Sequence, residues 1–260
     1  MRLFSPTSDV EIEVEPREKS HPELDGPRLD PDRRRPARLI IAVAAAAGGV
    51  LLLMLAVPRL FSAIELLDAR SIAERVQLDD PKLTGQQIEG AATSLQHALD
   101  WQDDADLAAL LASTRLAQAG RIDVPQRAAE RLTQAAEAAK RAIRLSPAHP
   151  TAWALLAQAL QIRDPRDPQF PAALKRAITV APYDPRYLNQ RVEMACRYWH
   201  LIDDATRRLS AAQIRIAAAR DVKALAVLAK RSYGLLPVRE ALADHAELLD
   251  KFDAIYIALP

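Results

Sequence analysis

Glu193 and Arg197 stand one helical turn apart in the stretch PRYLNQRVEMACRYW, and Glu193 is the carboxylate best placed for acid–base chemistry. A glycan-cleaving acid built on a helical scaffold would need such a carboxyl raised by burial. Arg197 on the same helix face instead favours the ionised form, which makes the pair a recognition element or an ion pair before it is a general acid. The remaining reactive types are Cys196 and the histidines His21, His97, His149, His200 and His245. No HExxH or other metal-ligand spacing joins the histidines, and none forms a recognisable nucleophile motif with Cys196. As the one cysteine in the chain, Cys196 cannot close an intrachain disulfide, and it is expected to be buried as a small apolar residue. The carboxylate pairs Asp103/Asp104 and Asp203/Asp204 fall at predicted helix starts, where capping and the helix dipole account for them. With seven glycines, two of them Gly48 and Gly49 in an apolar run, the chain has no Gly-rich phosphate loop and no G-x-S-x-G elbow. No catalytic residue, cofactor or metal is expected, and the chain reads as a non-enzyme.

The elements that would position these residues are helices. From Pro58 onward glycine is scarce, Ala and Leu are abundant, and no alternating β-branched run is long enough for a sheet. Thr84 is a cap for a helix through Ile88, Ala91, Leu95 and Leu99 to Trp101; Asp103 or Asp104 starts the next, with Gly120 as its C′ residue. Pro125 opens a long helix to Leu145, and Pro150 opens another that the Asp164-Pro165 and Asp167-Pro168 pairs terminate. Further starts are expected near Pro171, Pro185, Asp203 or Asp204, Asp221 and Pro237. The last stretch, with Leu249, Phe252, Ile255, Tyr256, Ile257 and Leu259, is expected to close the end of the helical array, with an exposed docking tail as the alternative.

Residues 39–57, LIIAVAAAAGGVLLLMLAV, carry no charged side chain. A run of roughly 20 apolar residues is long enough to cross a bilayer as a helix. Arg28, Arg33, Arg34, Arg35 and Arg38 precede it, whereas only Arg59 and Arg70 follow at comparable distance, so the positive-inside rule puts the N-terminus in the cytoplasm. A cleaved signal peptide fits poorly, because its n-region would be 38 residues long and AVPRLFSA is a weak cleavage site. The organisation expected is a disordered cytoplasmic tail (1–38), a transmembrane helix (39–57), a juxtamembrane helical linker (58–83) and a periplasmic helical domain (84–260). The high Arg-to-Lys ratio and heavy Ala usage point to a GC-rich bacterial genome, hence a bacterial inner membrane. Ala44/Gly48 and Ala45/Gly49 have the small-xxx-small spacing of a membrane-helix homodimer.

The tail contains Pro6, Pro16, Pro22, Pro27, Pro31 and Pro36 and too little apolar surface to order itself. Within it Val10-Glu11-Ile12-Glu13-Val14-Glu15 alternates with period two, as an edge strand added to a cytoplasmic partner would. A formal net charge of +1 gives no reason to expect nucleic-acid binding.

One segment repeats. KRAIRLSPAHP from Lys140 aligns with KRAITVAPYDP from Lys175, an offset of 35 residues. Trp153, Leu156, Ala157 and Leu160 follow the first copy, and Ala135, Ala142 and Pro147 lie within or before it. This pattern resembles the tetratricopeptide (TPR) repeat, whose period is about 34 residues, over 131–185. The resemblance implies an all-α fold, a transmembrane helix followed by a TPR-like solenoid of helical hairpins. In it Ala142, Ala157 and Ala177 let helices approach, Trp153 and Leu160 fill the space between hairpins, and Pro147 and Pro182 turn the chain. The following unit departs from the pattern, with Leu188, Arg191 and Ala195 where Trp, Leu and Tyr belong. The first helix of each hairpin would line a concave face with Thr151, Ala154, Gln158 and Gln161, then Arg186, Asn189, Glu193 and Arg197. Such a polar, mixed-charge groove suits a peptide or protein partner.

Ala181–Arg191 followed by Tyr198-Trp199-His200-Leu201 is similar to a stretch of the small single-span TPR proteins of bacterial exopolysaccharide synthesis and export. That resemblance implies a scaffold or adaptor binding envelope proteins near a polysaccharide machine. An assembly factor for cytochrome c maturation or a translocon-linked chaperone is the alternative within the same class, and a glycan-acting enzyme is the alternative from another.

Overall fold

A computed structural model describes residues 34–78 and 80–259. The expectations for the proline-rich tail before Arg34, including the Val10–Glu15 alternation, lie outside the described residues. Among those residues there are eleven α-helices and no strand. They are α1 (Arg34–Gln77), α2 (Gly85–Trp101), α3 (Ala105–Ala119), α4 (Pro125–Leu145), α5 (Pro150–Arg163), α6 (Gln169–Val180), α7 (Pro185–Arg197), α8 (Asp204–Arg220), α9 (Val222–Ser232), α10 (Leu235–Leu242) and α11 (Ala246–Ala258).

Local chemistry sets most of the boundaries. Thr84 forms a capping box: its hydroxyl accepts from the Gln87 amide at 3.2 Å and the Gln87 side chain accepts from the Thr84 amide at 2.9 Å. Asp104, Asp203 and Asp221 cap α3, α8 and α9 by accepting from Leu107, Thr206 and Ala224. Pro125, Pro150 and Pro185 occupy first-turn positions, where a missing N–H costs nothing. Two expected starts shift: α6 begins at Gln169, ahead of Pro171, and α10 at Leu235, ahead of Pro237. Gly120 ends α3 as its C-cap with φ −68°, so it does not use the left-handed conformation expected of a C′ glycine. The helix α1 begins at Arg34, before the apolar run, and continues through Pro58 to Gln77.

Contacts divide the chain at Leu53. In the first unit the described part is the opening of α1, whose side chains from Leu39 onward are exposed throughout. One helix among the described residues, Leu39–Gln77, is long and apolar enough to cross a membrane.

The second unit begins at Leu53 and contains two cores. The stretch expected as a linker, 58–83, contributes Ala69 and Ala73 to the first, together with α2–α6. Alanine dominates there: Ala108 and Ala112 on α3, Ala135, Ala139 and Ala142 on α4, and Ala152 and Ala157 on α5 are all buried. Small side chains let helix axes approach closely, and Leu95, Leu160, Phe170 and Leu174 fill the remaining volume. The second core joins Leu188 and Val192 of α7 to Ile214, Leu225, Val238 and Phe252. Trp199, in a single 3-10 turn after α7, packs against both. The last stretch forms α11, which packs on α9 with Phe252 fully buried and Ile257 exposed.

The pairing order is regular. Consecutive helices α3/α4, α5/α6 and α7/α8 pack as neighbours, and α3, α5, α7 and α9 each contact the next helix in that odd-numbered series. The 35-residue offset reappears in the elements: α4 ends at Leu145 and α6 at Val180, while α5 starts at Pro150 and α7 at Pro185. The equivalent residues His149 and Asp184 both cap, accepting from Ala152 and Arg186 respectively.

Candidate functional site: a groove along α3, α5 and α7

Helices α5 and α7 are neighbours in the odd-numbered series, and the gap between them is lined with side chains from successive turns of each. On α7 the face toward this gap is set by the steps Arg186, Gln190, Glu193 and Arg197, spaced four, three and four residues apart, which is the stripe a helix of 3.6 residues per turn presents. On α5 the corresponding residues are Leu155, Gln158, Gln161 and Ile162.

Two adjoining depressions share Gln158 and Gln190. The larger, about 550 Å³, runs from Val76–Leu78 past Ser113, Leu116 and Ala117 of α3 to Leu155, Arg186 and Tyr187. The smaller, about 190 Å³, holds Gln161, Ile162, Glu193, Met194 and Arg197. One end of the groove is therefore largely apolar and the other is polar and charged.

At the polar end Glu193 accepts from two guanidinium groups, Arg197 on its own helix at 2.9 Å and Arg231 of α9 at 2.6 Å. Gln161 donates to the Tyr198 hydroxyl at 3.0 Å. At the other end Arg186 makes a two-point contact with Asp184, at 3.1 and 2.8 Å. The Arg186 guanidinium and its backbone amide hold the Asp184 carboxyl below the usual carboxylate range against its partial burial. The amides of Gln158 and Gln190 make no side-chain hydrogen bond among the described residues, which leaves donor and acceptor available to a ligand.

Of the residues expected on the concave face, Gln158, Gln161, Glu193 and Arg197 meet in the smaller depression, and Gln158 and Arg186 line the larger. Asn189 points to a different depression, with Asp221, Lys223 and Arg231. Thr151 is half-buried and lines neither part of the groove, and Ala154 is buried in the helix packing. Tyr187, Gln190 and Leu155 line the groove without being among the residues expected there. Counting 186, 190, 193, 197 along α7 in place of 186, 189, 193, 197 would have found Gln190.

Ala135, Ala142, Leu156, Ala157, Leu160 and Ala177 are buried, and Trp153 is partly so. Pro147 is exposed and Pro182 half-buried, and each offers its carbonyl to a side chain, Pro147 to the Trp153 indole N–H at 2.8 Å and Pro182 to Gln213 at 2.7 Å.

On another face of α7, toward α6, lies Arg191, 1 % exposed, in the place Leu156 takes one repeat earlier. Its guanidinium donates to the carbonyls of Ala177 at 3.0 Å, Ala181 at 2.6 Å and Asp184 at 3.0 Å. These close the C-terminal end of α6 and the turn into α7, where a helix leaves carbonyls without partners and favours positive charge. Burial draws the pKa of Arg191 down, opposed by the Asp184 carboxylate. Cys196, two turns below Leu188, is buried, and burial pushes its thiol up to about 12.

Comparison with protein-family models, with characterised proteins and with solved structures finds no match in any of the three.

Proposed function

We propose that this chain is a single-pass membrane scaffold whose helical-repeat domain, of TPR-like hairpins, holds an extended segment of a partner protein in the groove along α3, α5 and α7. The observation that carries the reading is the groove's composition. Gln158 and Gln190 present unengaged amides between an apolar end at Leu116 and Leu155 and a charged end at Glu193 and Arg197. A peptide backbone supplies alternating donors and acceptors that carboxamides match, and its side chains fill alternate pockets. The engagement of Glu193 by two arginines supports a binding role over a catalytic one.

The apolar run at 39–57 and the arginines before it support an anchor in a bacterial inner membrane with the N-terminus cytoplasmic and the domain periplasmic. The likeness of Ala181–Arg191 and Tyr198–Leu201 to exopolysaccharide-associated TPR proteins supports a partner within a polysaccharide synthesis or export assembly.

A photo-crosslinking residue at Gln190, in membranes of the native host, tests the reading. The expected result is a discrete covalent adduct with an envelope protein that weakens when Gln158→Ala and Arg197→Glu are introduced together. An adduct of equal intensity in that double variant overturns the groove, and a cytochrome c maturation or translocon subunit as the adduct replaces the polysaccharide assignment. Alkaline phosphatase fused after Leu259 and found inactive would reverse the topology.

A further inference from the structure

Beyond the apolar run, α1 keeps an apolar stripe that none of the described residues covers. Leu60, Ile64 and Leu67 are 59 %, 53 % and 77 % exposed. They alternate with Arg59, Glu65 and Asp68, so the stripe is a selected face and no longer the consequence of uniform hydrophobicity. Ser62, Ala69 and Ala73, the positions buried in the domain, lie roughly half a turn round the helix from it. The stripe therefore faces away from the domain.

Its spacing identifies the occupant. Leu53, Val57, Leu60, Ile64 and Leu67 follow one another by four, three, four and three residues, the a/d pattern of a heptad. Val57 and Ile64 take the a positions and Leu53, Leu60 and Leu67 the d positions. β-Branched residues at a with leucine at d favour two parallel strands. A lipid surface or an unrelated partner requires no such alternation of residue type. Ser71 and Glu74 continue the register and end the apolar seam.

We infer that this face of α1 pairs with the same face of a second copy, forming a parallel two-stranded coiled coil that emerges from the membrane and holds two groove-bearing domains side by side. The inference rests in part on the anchor, since insertion with one topology makes every copy parallel. It differs from pairing at Ala44/Gly48 in using the opposite face of the helix and in carrying the seam past the apolar run to Leu60, Ile64 and Leu67. Fewer than three heptads seldom associate alone in water, so the membrane segment has to continue the seam; the same register falls on Val43, Ala46 and Val50.

The test uses the full chain in membranes, with Cys196→Ala as background and single cysteines at Leu60, Ile64, Leu67, Arg59 and Glu65. Oxidation is expected to give several-fold more disulfide dimer at Leu60→Cys, Ile64→Cys and Leu67→Cys than at the two control positions. Ile64→Lys should abolish the dimer at Leu60→Cys without changing the thermal unfolding of the domain, because Ile64 lies on the uncovered face. Equal yields at all five positions, or an Ile64→Lys chain that still dimerises at Leu60→Cys, overturn the seam. Carbonate extraction reports the anchor separately. A chain retained in the pellet with a flat pattern overturns the seam alone, and a chain released with the heptad pattern intact keeps the seam and overturns the anchor.

Discussion

Arg191 is an arginine where the preceding repeat has a leucine, and its three carbonyl contacts explain how a cation is tolerated at that depth. Arg191→Leu restores the apolar pattern yet takes their donor from the Ala177 and Asp184 carbonyls, each worth about 1–3 kcal/mol when left unpaired, while the Ala181 carbonyl keeps the Asp184 amide. The substitution is expected to destabilise the domain by about 3 kcal/mol, read as a lower urea midpoint; an unchanged midpoint would show the contacts to be dispensable. Tyr233 is the one non-glycine residue with positive φ among the described residues, at φ 56° and ψ 32°, and its side chain is 89 % exposed. The left-handed conformation costs about 1–2 kcal/mol for a residue with a Cβ, so Tyr233→Gly should raise the melting temperature. Its neighbour behaves oppositely. A Cβ on Gly234 would sit 2.6 Å from the Cys196 Cβ and 2.8 Å from its Sγ, so Gly234→Ala should lower the melting temperature through overpacking.

At the scale of elements, α5 and α7 show one design with two capping chemistries. His149 accepts from Ala152 through an imidazole nitrogen, and Asp184 accepts from Arg186 through a carboxylate. The Asp184 carboxyl is depressed by Arg186. Its contribution to stability is therefore complete above the ordinary carboxylate range and disappears as pH falls through the depressed value. Asp184→Ala should cost about 1 kcal/mol at neutral pH, and the gap from wild type should close in acid. Urea midpoints of both proteins across that range measure it; a gap constant down to the lowest pH would remove the carboxylate from the account. The long helix α1 has a different division of labour. One of its faces supplies Ala69 and Ala73 to the domain core, while the Leu60–Leu67 stripe is left uncovered.

For the molecule as a whole, two cores meet at α7 and Trp199, and the groove overlies helices of the first core. Stability should follow this arrangement. α4 and α5 are packed on both sides by neighbouring helices, whereas α11 fully buries Phe252 alone and leaves Ile257 to solvent. Hydrogen exchange is expected to be slowest in α4 and α5 and fastest among the packed helices in α11. Protection in α11 equal to that in α5 would indicate that the C-terminal helix is integral and not a cover.

Helix starts and stops were largely legible in the sequence, because caps and prolines act within four residues of themselves: Thr84, Asp104, Pro125, Pro150 and Pro185 each mark the boundary where the structure has it. The apolar run and the 35-residue repeat were legible for the same reason, being properties of neighbours along the chain. The faces those helices present were not. Gln190 enters the groove and Asn189 does not, although they are adjacent, because the direction of a side chain depends on where α5 and α3 lie against α7. Arg191 looked like a break in the repeat and became a clamp on α6 only once the chain turned back at Pro182 and brought three carbonyls within reach. Local hydrogen bonding and side-chain entropy decide where a helix can exist, and they operate in one dimension. Which of its faces is buried, and which polar groups meet across the packing, is decided by contacts between residues distant in sequence.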